Sequence, residues 1–455
     1  MSQLSDLTSS AVFHRRPGEA YPIFVRGEGC CYFDERGKQY LDLSSGLAWS
    51  SSLGLGRPEL AEVLAGQARQ LSYLHNGWPS TLPQEEFAAR LVSRAPDGLN
   101  RAMFVSGGSE ANELALRIMR QYHLARDEPA RWKIISLEHS YHGATLGALS
   151  MTGVIHVNRF VTTDYDPYLI DFPKIPAPSQ YRGPFASLEP AEAGRKAADV
   201  LIECIEREGP ETVAAFILEP VMGNAGMTVA PPGYLKRIRE ICDEYGMLLI
   251  LDEVMTGAGR TGTFLCSEQF DVVPDLTTMA KGISGGYFPL GVILLHDRVA
   301  DAIVNGERAL DHVHTFSGHP VGCAVGLKVL EILEQDKLIE QVRARGEFLR
   351  QQLHAQLGDL PCFGDVRGLG LAIALEYVAD RDGRRAYTAE ANVSQSIWDG
   401  MLERGFILPT ERYLDSDLLG DFSVFCPPFV ITEQQIVETV AALRETIEQL
   451  LPAWG

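Results

Sequence analysis

The sequence predicts an α/β fold in which a large domain with a mostly parallel sheet is followed by a smaller α+β domain. Two observations predict it. From about residue 100 to 300, short apolar runs alternate with amphipathic segments, the rhythm of strands joined by crossover helices. Beyond residue 319 the texture changes to long helical patterns with short strands between them.

In chain order, "CCYFDERGKQYLDL" at residues 30–43 reads as a hairpin, and residues 1–55 are expected to pack with the smaller domain. Residues 56–319 form the expected large domain and residues 320–455 the small one. Strands are expected over Ala102 to Val105, Lys133 to Leu137, Val213 to Leu218, Met247 to Leu251 and Leu290 to Leu295. Helices are expected over Ser109 to Leu124, Gly233 to Tyr245, Pro320 to Glu334 and Leu338 to Leu357. Short strands near 366–377 and 422–426 and a closing helix from Thr432 to Leu451 complete the second domain. Residues 164–190 carry Pro167, Pro173, Pro176, Pro178, Pro184 and Pro190. Such a run excludes regular structure, and it reads as an ordered loop near the functional site.

Bulk properties narrow the function. The chain has 455 residues, 45% apolar and 22% charged, which is ordinary for a folded enzyme-sized body of two or three packed subdomains. A formal net charge of −20 argues against nucleic acid, whose binding needs a basic footprint. Met1 to Ala20 has no apolar signal core, and Met247 to Leu251 is far too short to span a bilayer. No membrane association and a cytoplasmic location are therefore expected. Eight cysteines lie at 30, 31, 204, 242, 266, 323, 362 and 426, without a C-x-x-C pair or zinc-finger histidines. They read as small buried apolar residues, and no metal site is expected.

Three motifs carry chemistry. In "FVSGGSEANELALRIMR" a strand runs into Gly107 and Gly108, and Ser109 opens a helix. Backbone N–H groups and the helix dipole make such a junction a phosphate site, although the same pattern also serves as a plain helix cap with Asn112 or Glu113 in the first turn. In "LLILDEVMTGAGRTG", Asp252 ends an apolar run that reads as a central strand, the edge at which ligands of open α/β sheets bind. A carboxylate there needs a positive partner, either a protonated ring nitrogen or Arg260, unless it caps the following turn. In "PDLTTMAKGISGGYFPLGVILL", Lys281 sits among small residues just before another apolar strand. If buried, it is a candidate for an unprotonated amine that attacks an aldehyde; if exposed, it is an ordinary loop lysine.

Together they point to one cofactor. A phosphate cup, an acid at a strand end and a lysine 29 positions later are the three anchors that pyridoxal 5′-phosphate requires. The chain resembles the class III aminotransferases of PLP-dependent transferase fold type I, the group of ω-amino-acid and amine:pyruvate transaminases. The resemblance rests on "GLAWSSSLGLGRPELAEVL", "SGGSEANELALR", "HSYHGATLGALSMTG", "LEPVMGNAG", "LDEVMTGAGRTGTF", "PDLTTMAKGISGGYFPLG", "HTFSGHPVGCAVGL" and "CPPFVITEQQI", which span nearly the whole length.

That resemblance implies roles. Gly108 and Ser109 match the phosphate-binding pair, Tyr141 the aromatic stacked on the pyridine ring with His142 beside it, and Val254 the apolar residue on the opposite face. Asp252 matches the partner of the ring nitrogen and Lys281 the Schiff-base lysine. Glu219 matches an acid beside the substrate pocket and Trp49 a pocket-wall aromatic. Thr315 matches the residue that reaches the phosphate of the neighbouring subunit, which implies a homodimer or a tetramer built from it. One departure concerns substrate. Where many members carry a carboxylate-binding arginine, this chain has "GFILPTERYLDSDLLGDFSVFCPP", longer and with Pro409 near the expected position. Arg412 either takes over that contact or is solvated.

The implied reaction has two halves, in which an amine or ω-amino-acid donor leaves its nitrogen on the cofactor and a small 2-oxo acid, with pyruvate the expected one, collects it. Three rivals are weighed against it. A decarboxylase or aminomutase uses the same residues. A silent binding protein is disfavoured by Lys281 and Asp252, and a phosphate-loop nucleotide binder by the missing G-x-x-x-x-G-K-[ST] run.

Overall fold

The computed structural model describes residues 11–14, 22–153, 163–306, 310, 312, 314–413 and 419–454. Its centre is a seven-stranded sheet. In spatial order the strands are Leu99–Val105, Gly291–His296, Leu276–Met279, Leu248–Asp252, Val213–Leu218, Lys133–Leu137 and Lys174–Ile175. Only Gly291–His296 runs antiparallel to its two neighbours. The remaining adjacent pairs are parallel, as the alternating pattern predicts.

The inner strands are covered on both faces, which explains their unbroken apolar runs. Every residue of Val213–Leu218 and of Leu248–Asp252 is buried. One face packs on the helices Pro190–Glu208 and Tyr234–Tyr245, the other on Gly108–Ala125. Tyr234–Tyr245 lies between Gly233 and Gly246, both left-handed with φ of 81° and 66°, and Gly246 closes the helix as glycine caps do. The strand Leu276–Met279 has no counterpart among the expected elements. Its sequence, LTTM, is half polar, yet all four residues are buried.

The C-terminal part forms its own antiparallel sheet in the order Phe363–Leu369, Ala372–Tyr377, Gly420–Phe425, Thr410–Tyr413. The N-terminal strands Phe24–Glu28, Cys31–Asp34 and Gln39–Asp42 make a third sheet. Phe406–Ile407 joins it in parallel, pairing Phe406 with Leu41, so the first and last parts of the chain share one sheet. The closing helix Glu433–Leu450 starts at Thr432, whose hydroxyl accepts from Gln435 N while the Gln435 side chain accepts from Thr432 N.

The proline-rich stretch needs a correction. It holds a short 3₁₀ turn, Thr163–Tyr168, and the edge strand Lys174–Ile175. It does not line the cavity that holds Asp252 and Lys281. Arg182 instead reaches Glu376 and the Arg384 carbonyl in the C-terminal part, and Arg384 returns a bond to the Tyr181 carbonyl at 2.8 Å. All eight cysteines are buried and unpaired. Among the described residues no helix is long and apolar enough to cross a membrane, and no cluster of histidine, cysteine or acidic side chains could hold a metal ion.

Candidate active site

The strand Leu99–Val105 delivers the chain to a turn built for close approach. Gly107 is extended, and the helix Gly108–Ala125 begins directly after it. A β-carbon on Gly108 would lie 2.8 Å from Val254 Cγ1, so only glycine lets the helix start pack against that loop. Ser106 N is held by Glu110 Oε2 at 2.8 Å, and Ser109 Oγ accepts from Ala144 N at 3.0 Å. Used there as an acceptor, the Ser109 hydroxyl still has its proton to donate. Free N–H groups, a helix N-terminus and that hydroxyl make an anion cup.

Asp252 ends the central strand and is only 3% exposed. Its Oδ2 accepts from Asn112 Nδ2 and from His142 Nδ1, each at 2.8 Å, and its Oδ1 accepts from Val254 N at 3.0 Å. Arg260 is not its partner. That guanidinium, 1% exposed, bonds the carbonyls of Leu371 and Pro427 and the Ser45 hydroxyl, and stacks 4.6 Å over Phe429. Of the alternatives in the sequence, the cap of the following turn is present, through Val254 N, and the ion pair with Arg260 is not.

Lys281 follows the strand Leu276–Met279 with φ of 48°, a left-handed conformation that is rare and costly for a lysine. Burial pushes its pKa down, and the carboxylates of Asp252 and Glu219 oppose that shift. Its Nζ lies 4.7 Å from the centre of the Trp49 ring. Trp49 arrives on a tight turn, Ser45–Trp49, in which Ser45, Leu47 and Trp49 all have positive φ. Asp42 supports the turn by accepting from Ser44 N at 2.8 Å and Gly46 N at 2.7 Å. Gly223 clears room for the indole, since a β-carbon there would sit 2.8 Å from Trp49 Cζ3. Glu219 is 7% exposed and accepts from Tyr141 N at 3.0 Å and Gly223 N at 3.3 Å. Burial raises its pKa to about 7.

These groups surround one cavity of about 420 Å³. Trp49, Gly108, Ser109, Tyr141, His142, Glu219, Asp252, Val254 and Lys281 all line it. Residue profile and fold agree on what this cavity belongs to: the family described as aminotransferase class-III matches residues 13–447. The chain belongs to the class III aminotransferases. Its relatives include a probable aminotransferase of Mycobacterium tuberculosis, 39% identical over 94% of this chain and 90% of that one. A taurine–pyruvate aminotransferase of Bilophila wadsworthia is 35% identical over 94% of this chain and 93% of that protein. A thermostable (S)-enantioselective ω-transaminase from Thermomicrobium roseum superposes with a TM-score of 0.86 at 37% identity, covering 95% and 94% of the two chains.

In this aminotransferase two expected residues stand apart from the cavity. Arg412, in the strand Thr410–Tyr413, is bonded to the buried Asp421 and donates to the Tyr387 carbonyl at 2.8 Å. A buried carboxylate thus holds the Arg412 guanidinium on the C-terminal sheet, away from the residues that line the cavity. Leu414 to Leu418, in the lengthened stretch beside it, lie outside the described residues. Thr315 is exposed, and its carbonyl accepts from Tyr73 Oη at 3.0 Å. Asn112 was legible only as a helix-cap candidate. The available signal was its position one turn after Gly108, which sets it on the face of the helix that carries the cup. Ser50, Asn224, Met255 and Phe288 also line the cavity and lie outside the sequence expectations.

Proposed function

We propose that this aminotransferase moves an amino group from an amine or ω-amino-acid donor to a small 2-oxo acid such as pyruvate, in two half-reactions on pyridoxal 5′-phosphate. One observation carries the reading: the helix N-terminus at Gly108–Ser109, the carboxylate of Asp252 and the amine of Lys281 converge on a single cavity. The residues fit the cofactor. Gly108 admits close backbone approach, Oδ1 of Asp252 keeps acceptor capacity, and Ser106 Oγ and His142 Nε2 are buried polar atoms without a protein partner.

In this reading Gly108 and Ser109 would hold the phosphate, Tyr141 and Val254 the two ring faces, Asp252 the ring nitrogen and Lys281 the aldehyde carbon. When bound, the cofactor supplies a reactive carbonyl and a ring that accepts an electron pair. Lys281 would also be the group that removes the proton from the amino-bearing carbon of the donor. Burial pushes the pKa of Lys281 down, the direction that favours the unprotonated amine such a transfer needs. Asp252, fixed by three donors, would hold its carboxyl group toward the ring nitrogen. Thr315, exposed on the surface, would serve the phosphate of a second copy in a homodimer. The pairing of Phe406–Ile407 with Gln39–Asp42 supports grouping residues 1–55 with residues 320–455, apart from the cofactor-binding residues 56–319.

The walls suit donors with an apolar or aromatic substituent, since Trp49, Tyr141, Met255 and Phe288 line the cavity. The taurine–pyruvate relative supports pyruvate as acceptor. A screen of alanine, β-alanine, taurine, diamines and long-chain amines against pyruvate and 2-oxoglutarate tests the proposal. Turnover of carboxylate-free amines with pyruvate is expected. Exclusive use of α-amino acids with 2-oxoglutarate would overturn it.

A further inference from the structure

We propose that Asn112 is a positioning residue for the reaction, an amide clamp that fixes which oxygen Asp252 presents to the ring nitrogen of the cofactor. The inference rests on the cofactor reading above and concerns a residue to which that reading gives no part.

Asn112 is 1% exposed, one helical turn beyond Gly108. Its side chain makes three hydrogen bonds. Nδ2 donates to Asp252 Oδ2 at 2.8 Å and to the His142 carbonyl at 2.6 Å, and Oδ1 accepts from Thr278 Oγ1 at 2.8 Å. Two of these partners decide the orientation of the amide. The Asp252 carboxylate and the His142 carbonyl can only accept, so both must face Nδ2, and the Thr278 hydroxyl donates to the oxygen that remains. With His142 Nδ1 also on Oδ2, that oxygen has two donors, whereas Oδ1 has only Val254 N. A carboxylate oxygen accepts about two such bonds, so the capacity left for a ring N–H is on Oδ1. The same amide ties the central strand to the Tyr141–His142 loop, which carries one face of the cavity.

A clamp of this kind differs from packing in its response to charge. In Asn112→Asp the introduced carboxyl can donate to Oδ2 as the amide does when it is protonated, and it repels Asp252 when ionised. In Asn112→Leu the donor is absent at every pH. The other titratable groups around the pair are His142, Glu219 and Lys281, and all variants keep them, so their titration is common to the series.

The experiment titrates apoenzyme with pyridoxal 5′-phosphate between pH 5.5 and 9, roughly the span over which such a coupled carboxyl pair releases its shared proton. It follows the visible absorbance of the bound cofactor, with thermal melting of each apoprotein as a control. For Asn112→Asp, affinity near that of the parent at low pH and a loss of about tenfold or more on raising pH are expected. Asn112→Leu should be weak throughout, and the parent should lack the added pH dependence. Thr278→Val, which removes only the bond to the amide oxygen, should give a smaller loss. Folded variants that match the parent in affinity and pH profile would overturn the clamp while leaving the cofactor reading intact. A parent protein without a cofactor band at any pH would overturn both.

Discussion

The amine of Lys281 sits 4.7 Å from the centre of the Trp49 ring, at the end of a turn whose backbone is left-handed at Ser45, Leu47 and Trp49. The indole lines the cavity beside that nitrogen, and under the proposed function its size would limit what the donor can carry. Trp49→Ala is expected to lower KM for bulky aryl amines and to raise it for small ones, because an emptied aromatic site loses about 3 to 5 kcal/mol of packing that a large donor can replace. Kinetics with one small and one bulky donor check this. Parallel losses for both would place Trp49 outside the substrate wall.

Glu219 makes stability depend on pH. An unfolded glutamate titrates near 4.5, and burial raises the folded group to about 7. The folded state therefore binds a proton that the unfolded chain has released, so this stabilisation is full below about 4.5 and is lost as pH rises through about 7. Glu253 is raised to about 7 by burial as well and adds a slope of the same sign. The apoenzyme melting temperature is expected to fall between pH 5 and 8, and Glu219→Gln is expected to reduce that fall by roughly half. An unchanged slope in Glu219→Gln would assign it to other groups.

Gly108→Ala tests the cup. Its β-carbon would meet Val254 at 2.8 Å, so the helix start or the loop after Asp252 must move. Affinity for pyridoxal 5′-phosphate is expected to drop several-fold, with a stability loss of about 1 to 3 kcal/mol from overpacking. Equilibrium titration and denaturant melts measure the two separately. Unchanged affinity would remove Gly108 from the phosphate contact.

Arg412→Ala separates structure from recognition. Removing the guanidinium leaves the buried Asp421 without its ion-pair partner, a change that costs about 3 to 5 kcal/mol in buried pairs. Lower stability with little change in KM for pyruvate is expected. A steep rise in that KM in folded protein would show Arg412 reaching the acceptor during turnover.

What was legible in the sequence is what is local. The cup lies in four consecutive residues, Asp252 closes an unbroken apolar run, and Lys281 sits in a stretch of small residues. The parallel sheet was legible because its inner strands are buried on both faces and read as solid apolar words. Bonds between distant segments were not. Asn112 meets Asp252 across 140 positions, and neither residue's neighbours reveal the other. Leu276–Met279 escaped because two buried threonines dilute its apolar pattern, one of them spending its hydroxyl on Asn112. The place of Arg412 was not legible, because nothing beside it in the chain shows that Asp421, on the paired strand, holds it.

The central claim is that Lys281 carries the cofactor. Borohydride reduction of the cofactor-loaded enzyme, followed by proteolysis and mass spectrometry, tests it most directly. The account predicts the pyridoxyl group on the peptide containing Lys281, and its loss in a folded Lys281→Ala variant that no longer turns over. A pyridoxyl group on another lysine, with activity retained in Lys281→Ala, would contradict it.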